Sequence, residues 1–348
     1  MSSENSPLKE KLEIYLSKRL GSEVKVSKMI PLTGGACQDN YLTDINVLQG
    51  ESLGLYSLVF RTDKGASLLS SLSRVEEYNV IQLAFSSGVK TPKPIWLEDG
   101  IEAIGSPFYF MERISGRANG RYIVKDPKLN LVRKKFSNFL AENLSKIHSV
   151  TPDKCLDIGL KTKLSRFTPG EPFSVAKQAI DELKNQVNSL KEPHPAIDLM
   201  NNWLEANVKA TDFPVLVHGD FRTGNFMVTP EEITGIVDWE FAHFGDRHED
   251  IAWLCMRDWR FGKLNKEVGG FATREEFYAD YETFSGIKVD PAKVTFWEVI
   301  GNLRWACGSS AQAERHISGA DKGIELASIG RRTSEMELEA MRLIENAG

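Results

Sequence analysis

The chain of 348 residues carries 43 Lys and Arg against 48 Asp and Glu, a net charge of −5, with 41% hydrophobic and 26% charged residues. That length suffices for two domains or one large two-lobed unit, and the composition excludes a disordered, collagen-like or low-complexity chain. No long basic run marks nucleic acid as a partner, and the polar first 20 residues, with no apolar stretch near ~18 residues, point to a cytoplasmic protein outside the membrane.

In chain order, short β-favouring stretches are expected at residues 24–30, 40–47, 56–61 and 107–113, separated by glycine-bearing turns. One helix is expected among them at 67–87, with Leu68, Leu72, Val75, Val80 and Leu83 near one face and Gly88 as its stop. From residue 114 the helical period dominates, predicting helices near 129–147, 174–190, 196–207, 249–259, 274–283, 291–316 and 333–345. A small β insertion at 214–217, 226–228 and 234–237 interrupts them. The pattern therefore divides the chain into lobes at 1–113 and 114–348. Cys37, Cys155, Cys255 and Cys307 show no CxxC spacing, so neither a disulfide framework nor a thiolate zinc site is expected.

The chemistry concentrates in the β insertion. Val217-His218-Gly219-Asp220-Phe221-Arg222-Thr223-Gly224-Asn225 is followed by Ile236-Val237-Asp238-Trp239-Glu240. Phosphoryl transfer needs one carboxylate to orient or deprotonate the attacking hydroxyl, and an amide with a second carboxylate to hold Mg²⁺ against nucleotide phosphates. The interval from Asp220 to Asn225 matches the H-x-D-x-x-x-x-N loop of kinases, with Asp238 in the place of the aspartate that comes on the next strand. His218 reads as a residue that orients backbone.

These motifs resemble those of the aminoglycoside phosphotransferase / choline kinase-like family over nearly the whole chain. The resemblance implies an α+β, bilobal protein-kinase-like fold, with a small β-rich N-terminal nucleotide-binding lobe and a larger, mainly helical C-terminal catalytic and substrate-binding lobe. It implies ATP and Mg²⁺ as cofactors, Asp220 as base, and Asn225 and Asp238 as metal ligands. Gly34 and Gly35, in Leu32-Thr33-Gly34-Gly35-Ala36-Cys37-Gln38, fall at the family's nucleotide-positioning loop. Arg61 stands where the family usually has a phosphate-binding lysine, and Glu77 at its helix partner; arginine keeps the charge but differs in bulk. Met111 and Arg113 fall at the hinge strand, where adenine would be read by backbone. Asp246 and Asp250 fall in the segment that braces the catalytic loop, Asp246 as an N-cap and Asp250 buried against backbone donors.

The acceptor is expected to be a small molecule with a hydroxyl group. Trp253, Arg257, Trp259 and Arg260 on one predicted helix, and Trp297, Gly301, Arg304, Trp305 and Gly308 on another, are candidates to line its approach. Of these, Trp253, Arg257, Arg260 and Arg304 are the substrate-contact candidates. Their arginines disfavour an aminoglycoside and favour a neutral or anionic alcohol. Kinase-like domains fused to acyl-CoA dehydrogenases resemble this Trp- and Arg-rich version, making a hydroxyacyl thioester one anionic candidate. Two other readings compete: a nucleotide-binding pseudokinase or regulatory module, prompted by Arg61, and a metal-dependent hydrolase using His218, Asp220, His243, His248 and Asp250. Only six histidines in the chain make the second thin.

Overall fold

Alternating apolar residues dictate the first sheet. In the computed structural model, which describes residues 6–32, 38–63, 71–156, 166–320 and 323–347, β1 (Val24–Pro31), β2 (Gln38–Val47), β3 (Gly54–Asp63), β4 (Pro94–Glu98) and β5 (Phe108–Glu112) form an antiparallel sheet of order β1-β2-β3-β5-β4. Their inward residues Val24, Val26, Ile45, Val47, Leu58, Phe60, Phe108 and Phe110 are buried with Leu12 and Leu16 of α1 (Ser6–Leu20). Phe60 lies opposite Tyr41 and Phe110, and strand alternation turns the next residue, Arg61, to the other face. Neither α1 nor β4 is anticipated by the sequence reading; β4 begins at a proline, which cannot donate to a ladder and so resembles a loop.

The helix expected at 67–87 is α2 (Arg74–Ser86). Residues 64–70 lie outside the described set, and the start at Arg74 is fixed by a capping box. Glu76 N–H donates to Ser73 Oγ at 3.3 Å, and Ser73 N–H to Glu76 Oε2 at 2.9 Å. Gly88, with φ +81°, ends it.

The chain forms two units: Met1–Arg117 with Thr234–Ala242, and Ala118–Ile233 with His243–Gly348. The division thus falls after Arg117 rather than Arg113, and 234–242 joins the first unit although its sequence neighbours belong to the second. Within the second unit run α3 (Gly120–Lys125), α4 (Asn130–Arg133), α5 (Phe136–Ile147), α6 (Asp153–Leu156), α7 (Ser174–Asn188) and α8 (Pro195–Ala206). Strands β6 (Val215–Val217) and β7 (Phe226–Val228) come after them, and β8 (Ile233–Ile236) carries the chain into the first unit. β9 (His243–Gly245), which pairs antiparallel with β6, is a strand that the sequence reading leaves out.

The remaining helices are α9 (His248–Cys255), α10 (Arg274–Ser285), α11 (Pro291–Ile317), α12 (Ile324–Gly330) and α13 (Thr333–Ala347). The helix expected at 249–259 is therefore two pieces: α9 stops before Met256, and Arg257–Arg260 form a 3₁₀ turn that ends at Phe261 in the left-handed region. The turn lets Arg260 donate back to the Cys255 carbonyl at 2.7 Å, satisfying an acceptor at the end of α9. Long α11 packs on α9, α12 and α13. A Cβ on Gly301 would lie 3.0 Å from Met256 Sδ and 3.1 Å from the Trp253 ring, so this glycine serves close packing. Among the described residues no helix is long and apolar enough to cross a membrane.

The fully buried Phe60 ring packs against Phe108 and Phe110 with centroids 5.4 and 5.2 Å away. Phe60→Ala should therefore lower unfolding free energy by about 3–5 kcal/mol, read from the shift in denaturation midpoint. Leu55→Ala, at a residue 81% exposed, should change it by less than about 0.5 kcal/mol.

Candidate active site

In the second unit, β6 delivers the chain to His218, and a buried carboxylate on α9 holds the loop that begins there. Asp250 accepts hydrogen bonds from the backbone amides of His218 at 2.8 Å and Gly219 at 3.0 Å. His148 Nε2 approaches its Oδ2 at 3.3 Å while His148 Nδ1 meets the Tyr281 hydroxyl at 2.8 Å. Since a carboxylate only accepts, Nε2 of His148 carries the proton and Nδ1 accepts from the tyrosine. Burial opposes the Asp250 charge, but the hydrogen bonds from His148 and from the His218 amide hold its carboxyl below the usual range. Gly219 turns the loop at φ +79°, a conformation costly for other residues.

Asp246 plays a related part. Its Oδ1 accepts from His248 N–H at 2.9 Å and Nδ1 at 2.6 Å, and its Oδ2 from Thr211 at 2.9 Å. The residue at the N-cap position is Arg247, one later than the sequence reading placed it, yet the side chain serving the first helical amide is that of Asp246.

The loop held in this way presents Asp220, only 7% exposed. Its Oδ1 accepts from Trp253 Nε1 at 2.7 Å and Arg222 Nε at 2.9 Å. Its Oδ2 accepts from Asn225 Nδ2 at 2.7 Å and Arg222 Nε at 3.0 Å. Asn225 also donates to the Asp220 carbonyl at 3.0 Å, and Asp220 N–H to His218 Nδ1 at 3.3 Å. The Arg222 guanidinium stacks 4.7 Å over the Trp259 ring, which neighbours Trp253 at 5.7 Å and Trp305 at 5.6 Å. Arg222 is a site residue that the fixed loop positions of the sequence do not reveal; its distance of two residues from Asp220 is the one signal for it.

The four substrate candidates separate. Trp253 bonds Asp220 directly. Arg260 is buried, donates to the Cys255 carbonyl and lies 3.6 Å from Glu298, so it belongs to the scaffold and leaves the acceptor set. Arg257 pairs with Glu339 at 3.3 Å. Arg304 is half-buried, makes no hydrogen bond or ion pair with any described residue, and lines a small cleft with Gly219, Trp253 and Gly301. Burial, then the Arg166 charge, pushes its guanidinium below the ordinary range. Trp305 donates to Asp258 at 2.6 Å.

The first unit holds the second charge cluster. Arg61 Nε donates to Glu77 Oε2 at 3.1 Å, and its Nη2 lies 2.8 Å from Glu77 Oε1 and 3.1 Å from Asp238 Oδ1. Glu77 is also paired with fully buried Arg74, which the sequence reading missed and which lies 2.9 Å from Asp63. Burial opposes the Arg61 charge, but Glu77, Tyr109, Asp238 and Glu240 outweigh it and keep the guanidinium protonated. Met111 lies in β5 opposite Val59 and Pro94. Arg113 donates its backbone amide to the Ser57 carbonyl at 3.2 Å and pairs with Asp44 at 3.0 Å, so this amide is not open to a base. Gly34 and Gly35 lie outside the described residues.

Among the described residues no three His, Cys, Asp or Glu side chains converge as a metal cluster. His243 meets Glu249 and Arg166, and His248 meets Asp246, which leaves neither poised as a zinc ligand. Asn225 Oδ1, in the second unit, and Asp238 Oδ2, in the first, each accept no hydrogen bond from a described residue. Asp238 adopts φ +73°. Close to it, burial and then the Asp238 charge push the Glu240 carboxyl up from 4.5 to about 7.

A carboxyl raised on folding favours the folded state below its unfolded value, and this contribution is lost as pH rises through the folded value. The stability difference between the wild type and Glu240→Gln should therefore move against the wild type between pH 4.5 and about 7 and level off above. Denaturant midpoints of both proteins across that range are the measurement.

The sequence pattern of the phosphotransferase enzyme family (APH) matches residues 28–287. A protein of Arabidopsis thaliana named acyl-CoA dehydrogenase IBR3 is 29% identical over 94% of this chain and 40% of its own length. Acyl-CoA dehydrogenase family member 11 of Rattus norvegicus is 30% identical over 58% of this chain and 25% of its own. The chain thus spans less than half the length of these relatives. Among solved structures, a candidate aminoglycoside phosphotransferase from Ralstonia eutropha superposes with a TM-score of 0.72 at 21% identity, covering 97% of this chain and 98% of that one. A spectinomycin phosphotransferase in complex with ADP and spectinomycin gives 0.60 at 15% identity, over 95% and 98% of the two chains. At these identities the structures show the fold, which is the α+β protein-kinase-like one. The family match covers most of the chain, and this chain belongs to the phosphotransferase enzyme family.

Proposed function

We propose that the chain transfers the γ-phosphoryl group of Mg-ATP to a hydroxyl of a neutral or anionic small molecule rather than an aminoglycoside. The observation that carries the acceptor class is Arg304, a half-buried cation that forms no ion pair with a described residue, in the cleft that also contains Gly219, Trp253 and the Glu249 and Asp250 carboxylates. With Arg222 close by on Asp220, a polycationic acceptor would meet repulsion where an anion would meet attraction. Similarity to proteins named acyl-CoA dehydrogenases supports a hydroxyacyl thioester as one such acceptor. A cavity of about 700 Å³ walled by Trp259, Phe261, Leu264, Met336 and Leu338 offers apolar surface for a hydrocarbon chain.

In this reading Asp220 orients the acceptor hydroxyl and takes its proton as the oxygen bonds to the γ-phosphorus and the bond to ADP breaks. Arg222, Trp253 and Asn225 fix both carboxylate oxygens, so their direction is set before substrate arrives. Asn225 and Asp238 would each offer an oxygen to Mg²⁺, which when bound neutralises phosphate charge. Arg61 has Nη1 left for a phosphate oxygen after its bonds to Glu77 and Asp238. Gly34, Gly35 and Met111 remain assigned to the nucleotide by family position.

Asp220→Asn should bind ATP as the wild type does and transfer roughly 100- to 10,000-fold less label from ATP, with Mg²⁺, into pooled hydroxylated metabolites. Transfer at the wild-type rate would remove Asp220 as base. Efficient turnover of kanamycin by the wild type would refute the acceptor class.

A further inference from the structure

Away from Asp220, the second unit contains a groove of about 730 Å³ for which the proposed mechanism has no use. Lys125, Arg133, Lys263 and Lys266 line it with Asn130 and Asn265, and no carboxylate is among its lining residues. In a chain with five more acidic than basic residues, four cations around one concavity are not a sample of the average surface.

Their partners sharpen the point. Lys266 alone has a carboxylate, the exposed Glu276 at 3.1 Å. Arg133 donates its hydrogen bonds to neutral oxygens, the Asp126 carbonyl at 2.8 Å, Asn130 Oδ1 at 2.8 Å and the Ile123 carbonyl, with the charge of the Asp126 carboxylate acting on it as well. Lys125 and Lys263 are exposed and form no ion pair with any described residue. Two of the four cations, Lys125 and Lys263, thus carry charge that no ion pair with a described residue offsets. Its wall is partly backbone: Gly262 at φ +87° would bring a Cβ within 3.5 Å of Lys125 Nζ, and Gly270 at φ +81° would bring one within 2.6 Å of the Arg260 carbonyl. Both backbones lie in the left-handed region that favours glycine, and at Gly270 the close Arg260 backbone leaves no room for a side chain.

We infer that this groove binds a multiply charged phosphate ester. Four cations flanked by two amides suit clustered phosphate oxygens better than a single carboxylate. Two sources share that chemistry. Gly262 also lines the apolar cavity floored by Trp259, the ring on which Arg222 stacks, so the ester can be the far end of the acceptor. It can equally be a separate ligand. The first source rests on the proposed kinase reading; the groove itself does not.

The probe is inorganic tripolyphosphate, titrated calorimetrically into the full chain with ADP saturating the nucleotide site. Wild type should bind one equivalent, more weakly as salt rises. Lys125→Glu with Lys263→Glu, two exposed changes outside the catalytic machinery, should weaken this by about tenfold or more while ADP affinity is unchanged. No binding in the presence of ADP, or binding that survives the double reversal, would overturn the inference. The pooled-acceptor assay distinguishes the sources. Loss of phosphate-bearing products alone in the double variant identifies the acceptor, whereas an unchanged product spectrum with lost tripolyphosphate binding identifies a separate ligand. Because calorimetry is read without turnover, failure of the kinase reading leaves this test intact.

Discussion

A carboxylate with no access to water must find donors or lose its charge, and Asp250 finds them in the backbone of the loop that its helix has to hold. Two amide protons, from His218 and Gly219, connect α9 to the end of β6, and everything directed at Asp220 hangs from that connection. His148 and Tyr281 extend it into α5 and α10. Hydrogen bonds to a charged acceptor in a dry interior are strong, and leaving one such group unpaired is costlier still. The loop is therefore held by the cost of the alternative, which would leave a buried anion without donors.

Asp220 is treated differently from Asp250, although both are largely buried. Asp250 meets backbone and a neutral imidazole, which fixes its place; Asp220 meets the side chains of Arg222, Trp253 and Asn225, which fix its direction. One carboxylate holds the backbone and the other is held by side chains. The first unit repeats the contrast: Arg74 and Glu77 lie deep, while Arg61 extends from Glu77 to the part-exposed Asp238. Buried ion pairs of this kind seldom add much stability, and their value here is direction.

Much of this was legible in the residues. Asp220, Asn225 and Asp238, the residues proposed for phosphoryl transfer, stand out because that chemistry restricts both residue type and spacing, and Asp250 because an acid entering an apolar helix needs backbone donors. The strands around Phe60 were visible through their alternation. What escaped depended on three dimensions or on faint local signals. Strand β4 starts at a proline, β9 has three residues, and α9 ends early because Arg260 folds back on Cys255, a contact that no periodicity encodes. Arg222 escaped because charge in a loop reads as solvated until a tryptophan is found beneath it. The start of α2 was the avoidable miss, since Ser73 and Glu76 spell a capping box.

The backbone at Asp238, with φ +73°, has a consequence of its own. Side chains branched at Cβ are excluded there and most others are strained; glycine, asparagine and aspartate tolerate the left-handed region best. Before any chemistry is considered, the main chain has narrowed the alphabet at this position to about three letters, and only one of them carries a negative charge. Geometry and the proposed metal-holding role select the same residue independently, so on that proposal a drift in sequence at 238 would be resisted twice.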